Sequence, residues 1–389
     1  MTTLDKTISV LTDLIEYPSV SSESNLDIIN YLSDKIKSIG GKIDIIKTSD
    51  NKQANIFATI GPEIDGGIVL SGHTDVVPAK ELNWNSDPFK LTRKDDLLYG
   101  RGSCDMKGFI ASTIVAAEIL KNKNLNYPVH FSFTYDEEIG CFGARHLIKE
   151  LKKYKYKPSI VIIGEPTNME IIEAHKGDCE YTTCFHGIEG HASNPEKGLS
   201  AIQYGSLFTN KLFEIGNELK RRAPSDSPFN PPWTTVQVGK IEGGVAHNVI
   251  AGQCSIDWEM RPINEEDKNF VKNNLLKYCQ NKLLPEMQSK FADAKIETET
   301  IGEIPGLIPQ KDNQARVIMQ DLLQSNSTGV ISFGTEAGIF QEMNMDVVVC
   351  GPGSIDQAHK ANEFVSISEL DKCLQNLLKL LDRWSKKSI

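Results

Sequence analysis

The sequence predicts an α/β protein in which a mixed sheet with helices on both faces is interrupted by a β-α-β-β-α-β (ferredoxin-like) insert. Three observations predict it. Apolar runs of strand length alternate with helix-period segments early and late in the chain. The order of elements changes after Gly177 and alternation resumes after Pro305. A chain of 389 residues is long for one hydrophobic core, so two domains are expected. The boundaries read from these changes are 1–177 with 303–389 for the sheet domain, and 178–302 for the insert.

Each element has its own signal. The start, MTTLDKTISVLTDLIEYPSV, carries Ile8, Leu11, Leu14 and Ile15 on one face of a helix. NIFATI and GIVLSGHTD read as buried strands, 108–122 as a helix, VHFSFTYDEE as a strand, ARHLIKELKK as a helix and SIVIIGEP as a strand. Beyond Gly177, DCEYTTCFHG reads as a strand and 199–222 as a long helix. The loop PSDSPFNPPW is too rich in proline for regular structure. Strands TTVQVGKIEGG and GQCSIDWEMRP, a helix over 265–279 and strand AKIETETIGE complete the insert. A helix over 314–323, strand DVVVCGPG and a helix over 368–386 close the chain.

Composition narrows the function. Hydrophobic residues make up 40% and charged residues 24%, as in ordinary globular proteins. A net charge of -10 repels nucleic acid and anionic membrane, so neither is expected as a partner. The start lacks the basic head and unbroken apolar run of a signal peptide, and the expected compartment is the cytoplasm. The eight cysteines form no C-x-x-C pair, which argues against a thiolate zinc site.

The chemistry concentrates at strand ends, where open α/β sheets place their ligands. SGHTD supplies His73 and Asp75, GRGSCDMKG supplies Asp105, FTYDEE supplies Glu137 and Glu138, IIGEPT supplies Glu165, and SIDQAHKANE supplies His359. Taken alone, a His-x-Asp is usually a surface pair and an Asp-Glu-Glu a solvated loop. Their coincidence at successive strand ends is what points to metal. Two His and three carboxylates suit two divalent ions, zinc, cobalt or manganese, sharing one carboxylate. Asp75 is expected to accept the second N–H of His73. Glu137 and Glu138 are adjacent and cannot aim alike, so one can bind metal while the other handles protons for amide hydrolysis. His130 reads as a core histidine and His146 as an exposed one; His175 and His186 have no partner visible in the sequence.

Taken as a set, SGHTDVVP, WNSDPF, LYGRGSCDMKGF, YDEEIGCFGARHL, IIGEPT, AHKG, GIEGHASNP, AHNVIAG, WEMRP and FGTEAG resemble a dizinc family of metallopeptidases and deacylases. That family holds acetylornithine deacetylase, succinyl-diaminopimelate desuccinylase, glutamate carboxypeptidase and aminoacylase. GSCDMKG, AHKG and FGTEAG are most like the acetylornithine deacetylase branch. The resemblance implies His73 and Glu165 on one metal, Glu138 and His359 on the other, and Asp105 bridging. It implies Glu137 as base and then acid, and a cis peptide at Asp105–Met106. It makes the insert a lid and homodimerisation domain that contributes His191 to the scissile carbonyl. Asn248 and Arg261 would hold a substrate carboxylate, for which the planar guanidinium is suited. Gly334, Thr335 and Glu336 would form a substrate loop, with Glu336 facing a cationic amine. The activity so implied is removal of acetate from N-acetyl-ornithine, a step in arginine synthesis. A desuccinylase, a broader acyl-amino-acid hydrolase or dipeptidase, and a non-catalytic metal-binding protein remain the alternatives.

Overall fold

The computed structural model describes residues 1–386. The chain opens with helices α1 (Thr3–Ile15) and α2 (Leu26–Ser38), then strands β1 (Lys42–Lys47), β2 (Ala54–Ile60), β3 (Ile68–His73), β4 (Thr92–Lys94) and β5 (Leu97–Tyr99). Next come α3 (Lys107–Ala117), β6 (Val129–Thr134), α4 (Phe142–Leu151), β7 (Ile160–Pro166), β8 (Ile172–His175) and β9 (Asp178–His186). The middle holds β10 (Gly190–His191), α5 (Ala201–Arg221), β11 (Thr235–Gly243), β12 (Val249–Ile250) and β13 (Gln253–Arg261). Then α6 (Glu265–Tyr278) passes through a π-turn into α7 (Leu284–Lys290), before β14 (Lys295–Ile304) and α8 (Gln314–Leu323). The chain ends with β15 (Gly329–Ile331), α9 (Ala337–Gln341), β16 (Asp346–Gly351), β17 (Phe364–Ser366) and α10 (Ile367–Lys386). Among the described residues no helix is long and apolar enough to cross a membrane.

Two compact units result. The first comprises Met1–Glu173, Pro309–Gly329 and Thr335–Ile389, the second Ala174–Ile308 and Val330–Gly334. The second unit thus begins and ends a few residues outside the 178–302 expected from sequence, and it also takes up a short piece near 330. That piece ends in the first two residues of FGTEAG, and tertiary contacts assign it.

The first unit is built on an eight-stranded sheet in the order β1-β2-β6-β3-β7-β16-β8-β15. Its four central strands, β6, β3, β7 and β16, run parallel, while β1 and β2 pair antiparallel at one side. Successive residues of a strand face opposite sides. Ile68, Leu70, Ile160, Ile162, Val348 and Cys350 join the core formed with α1, α2, α3, α8 and α10. The alternate residues Val69, Val161, Ile163, Val347 and Val349 are equally buried, on the side where α4 and α9 pack. This two-sided burial explains the unbroken apolar runs in the sequence.

Helix α3 is buried along its whole length, from Lys107 to Ala117, because it lies between the sheet and helices α1 and α10. Its contact with β7 is close. A Cβ at Gly164 would stand 1.9 Å from Cγ of Phe109, so only glycine lets α3 approach the strand that carries Glu165. Phe109 is 1% exposed. Phe109→Ala is expected to lower stability by about 3–5 kcal/mol. Urea unfolding followed by circular dichroism measures this, and a loss under about 1 kcal/mol would show that the site collapses around the void.

The second unit has a four-stranded antiparallel sheet in the order β11-β13-β9-β14. Its elements follow the order β9, α5, β11, β13, α6 with α7, β14, with the two-residue strands β10 and β12 added. The core beneath its helices includes Tyr181, Phe185, Phe208, Leu212, Trp258 and Val271. The rings of Tyr181 and Trp258 stack at 4.4 Å.

Candidate metal centre

Four parallel neighbours deliver side chains at one edge of the first unit. His73 ends β3, Glu165 lies at the end of β7, Glu137 and Glu138 follow β6, and His359 follows β16. Asp105 comes from the loop entering α3, after which the Asp105–Met106 peptide is cis. The order of strands, not their order in sequence, makes these residues neighbours.

The five expected ligands converge. His73 Nε2 stands 3.0 Å from Asp105 Oδ1 and 3.8 Å from Glu165 Oε2. His359 Nε2 stands 2.8 Å from Glu138 Oε2 and 3.4 Å from Asp105 Oδ2. Asp105 therefore turns one oxygen to each histidine, the position required of a shared carboxylate. Donor atoms of His73, Asp105 and Glu138, and of His73, Glu137 and Glu165, lie within 4.8 Å of one another. Such spacings suit a cation whose bonds to nitrogen and oxygen are about 2.0–2.2 Å. Glu165 Oε1 is buried and without a hydrogen-bond partner among the described residues. A cation would satisfy it, so the donor set fits the metals that the sequence implies.

Asp75 differs from expectation in one respect. The close partner of His73 Nδ1 is the backbone carbonyl of Asp75 at 2.9 Å, while its carboxylate lies at 3.6 Å. That carboxylate instead accepts from Ser21 Oγ at 2.8 Å and from the backbone N–H groups of Glu137 at 3.1 Å and Glu138 at 3.4 Å. Asp75 fixes the imidazole through its main chain and the Glu137–Glu138 turn through its side chain.

Crowded carboxylates shift the acidities. Burial and then the charge of Asp105 push Glu138 up to about 7. Burial pushes Glu165 up to about 8, with His73 opposing and Asp105 adding. Burial and the charge of Glu165 hold Glu137 well above its usual range. Hydrogen bonds to Asp105 and Glu138 raise His359 to about 10. Burial disfavours charge on His73, but Glu165, Asp105 and Asp75 outweigh it and raise the imidazole well above its ordinary value. The same contacts outweigh burial at Asp105 and lower it.

The remaining expected residues are shared between the two units. His191, Asn248, Arg261 and Gly334 belong to the second unit, Thr335 and Glu336 to the first. His191 is exposed, with Nδ1 2.7 Å from Ser193 Oγ. Asn248 is exposed and its carbonyl accepts from Ala192 N at 3.0 Å. Arg261 is engaged by its own chain, with Asp178 at 2.6 Å and Glu259 at 2.8 Å. A substrate carboxylate would compete with both. Glu336 is 1% exposed, and among the described residues neither of its oxygens has a hydrogen-bond partner of good geometry. Burial lifts it to about 7, tempered by the nearby Thr134 hydroxyl and His73. It sits under the site, not on an exposed loop, because α9 folds in against β16 and α4.

Among the other histidines, His130 is buried, stacked on Phe57 at 5.2 Å. His146 is half-buried, with Nδ1 3.2 Å from the Tyr135 hydroxyl. His175 is buried and bonds the Lys176 carbonyl through Nδ1, and His186 pairs with Glu297 at 3.3 Å. Sequence reasoning passed over Arg101, Lys107 and Glu363. The first two stand beside Asp105 in GRGSCDMKG and the third ends AHKANE. For Arg101 and Lys107 the available signal was charge within a glycine-rich stretch; Glu363, in a polar run, carried none.

The sequence model of peptidase family M20/M25/M40 matches residues 69–383. The chain belongs to this family. It is accordingly a metal-dependent hydrolase. Acetylornithine deacetylase of Pasteurella multocida (strain Pm70) is 35% identical to it over 379 residues, covering 95% of this chain and 96% of that protein. Among solved structures, aminopeptidase PepT from Bacillus cereus matches with a TM-score of 0.75 at 19% identity, covering 99% of each chain. The YXEP protein of Bacillus subtilis, described as a dinuclear metal binding peptidase of the M20 family, matches with a TM-score of 0.65 at 16% identity over 98% of each chain. At such identities the structural likeness carries the fold alone.

For a metallohydrolase of this family the shifted groups make a testable pH dependence. Glu137, Glu138, Glu165, His73 and His359 are all raised, so the metal-free folded chain holds extra protons there. Where the native state binds more protons than the unfolded one, stability falls as pH rises. For these groups the window runs from the ordinary glutamate value of 4.5 to about 10 at His359. Metal requires deprotonated ligands, so its binding by Glu138, Glu165, His73 and His359 would release protons and tighten with pH. Lys107, His130 and His175 are shifted down by burial and act oppositely, but they cancel between two forms of the same protein. The gap in Tm between metal-loaded and metal-free protein is expected to widen from about pH 6 to about pH 9. Scanning fluorimetry with zinc or with chelator reads the gap, and one that narrows would contradict the assignment.

Proposed function

We propose that the chain hydrolyses N-acetyl-ornithine to ornithine and acetate with two divalent cations held by His73, Asp105, Glu138, Glu165 and His359. The observation that carries the reading is the division of the Asp105 carboxylate between His73 and His359, in a chain 35% identical to an acetylornithine deacetylase. Zinc fits the donors, as do cobalt and manganese. When bound, the cations supply Lewis-acid polarisation of the scissile carbonyl and of water. Glu137 takes a proton from water as its oxygen adds to the carbonyl carbon. It returns that proton to the nitrogen as the C–N bond breaks. Asp75, through the two N–H groups it accepts, aims Glu137 and Glu138 in their different directions.

In this reading the second unit supplies His191 to the developing oxyanion and Asn248 and Arg261 to the substrate carboxylate. It also carries the homodimer contact. Gly334 and Thr335 border the substrate. For Glu336 the burial favours a different part from the one the resemblance suggests. Its charge adds to the field that raises Glu137 above its ordinary range.

A panel of acetyl-ornithine, acetyl-citrulline, succinyl-diaminopimelate and simple dipeptides, assayed for product release with and without chelator, tests the substrate. The expected result is a kcat/KM for acetyl-ornithine at least about tenfold above the others, a difference of about 1.4 kcal/mol in transition-state binding, abolished by chelator. Preference for the succinylated substrate or for dipeptides would replace the substrate while keeping the metal site. No turnover of any would favour a metal-binding protein.

A further inference from the structure

His359 is the ligand least secured by its surroundings. Its side chain is 52% exposed and its backbone adopts φ 58°, on a loop beyond the end of β16. His73 and Glu165, by contrast, project from paired strands in the middle of the sheet and are buried. Something must hold the His359 loop against the Asp105 loop if the pair His359 and Glu138 is to keep its place.

That something is Glu363. Its side chain is 1% exposed. One carboxylate oxygen accepts from the N–H groups of Cys104 at 2.9 Å and Asp105 at 3.1 Å. The other accepts from Gly102 N at 3.0 Å and from Arg101 Nη1 at 2.9 Å. Four donors saturate one carboxylate, and three of them are main-chain groups of the segment that presents Asp105. The Arg101 guanidinium, also 1% exposed, reaches the Lys360 carbonyl at 3.3 Å and Glu81 at 2.7 Å, and lies over the Trp84 ring at 5.2 Å. Asn362 accepts from Asn85 N at 2.8 Å and donates to the Asn83 carbonyl at 2.9 Å. Arg101 and Glu363 therefore clamp three loops, 78–85, 101–105 and 359–363. A charged carboxylate with several backbone N–H partners is held far more rigidly than a neutral side chain in its place.

We propose that Glu363, backed by Arg101, is a positioning residue that sets the spacing of Asp105 and His359 and so governs the His359–Glu138 metal selectively. The inference rests on the two-metal reading above. The His73–Glu165 metal depends on it less, because strands β3 and β7 hold those ligands. Glu363→Gln keeps the shape but replaces one acceptor oxygen by a donor that faces donors. The expected consequence is a second cation bound about 10–100-fold more weakly, the usual effect of losing a partner that orients metal ligands, with the first unchanged.

Metal-free wild type and Glu363→Gln are titrated with Co2+, reading bound metal per chain by equilibrium dialysis and the visible cobalt bands. Two Co2+ per wild-type chain, with only the weaker site loosened in the variant and turnover restored by excess Co2+, is the result expected. Wild type that binds fewer than two ions sinks the two-metal reading itself. Wild type that binds two, with a variant whose sites are both unchanged or both weakened alike, overturns the selective role of Glu363. Should Glu363→Gln fail to fold, Arg101→Lys is read in the same way, since it keeps the buried charge but gives up the fork that spans Glu363 and Glu81. The thermal midpoint of the metal-free forms separates a general loss of folding, which would lower it, from a loss confined to the metal.

Discussion

Glu137→Gln is expected to lower kcat by about 10²–10⁴-fold, the range for a lost general acid–base, while the chain still binds two metal ions. The amide has nearly the volume of the carboxylate but cannot accept the proton from water. Glu137 lies close enough to His73 and Glu165 for its oxygen to serve as a ligand as well, which makes the metal count decisive. A variant that loses an ion along with its activity would show Glu137 to be a ligand. A variant with full metal and ordinary turnover would remove it from the mechanism. Burial and the charges of Glu165, Glu138 and Glu336 raise the carboxyl well above its ordinary range when no cation is present. Cations beside it favour the carboxylate, so the metal-loaded protein is the form in which the proposed base would act.

Asp105→Ala is expected to abolish tight binding of both cations and to lower kcat/KM by on the order of 10³-fold or more, since metal polarisation provides several kcal/mol of transition-state stabilisation. Removing this carboxylate takes one partner from each of His73 and His359. It should also leave the fold intact, because the backbone N–H at 105 still reaches Glu363. Metal analysis after dialysis and a far-ultraviolet circular dichroism spectrum check the two halves of this expectation. Retention of two tightly held ions by the variant would mean that Asp105 does not bridge.

Much of this was legible in the residues. The apolar runs that become β2, β3, β6, β7 and β16 mark themselves because strands buried on both faces are mostly apolar, the buried His130, Ser132 and Thr134 of β6 being exceptions. The helices α5, α8 and α10 were read to within about two residues at most of their ends. Helix α2 and strand β1 went unread. β1 is an edge strand with only intermediate or exposed residues, so it lacks the apolar run that marks the others. The candidate ligands stood out because histidine and carboxylate at the end of an apolar strand are costly unless something binds them, and their donor atoms come together in the fold.

The sequence alone determined the residue types, the strands that carry them and the family to which they belong, because those depend on local pattern and on motif. Tertiary structure decided which groups meet. Asp105 N and Glu363 lie 258 residues apart in the chain yet share a hydrogen bond. Asp75 acts on His73 through its carbonyl and on Glu137 through its side chain, a division no spacing reveals. Glu336, in an open-looking motif, is sealed beneath the site, and Arg261 is already paired with Asp178 and Glu259. Burial and pairing are properties of the packed chain, set by whichever distant groups close over a residue, and a linear sequence carries no direct record of them.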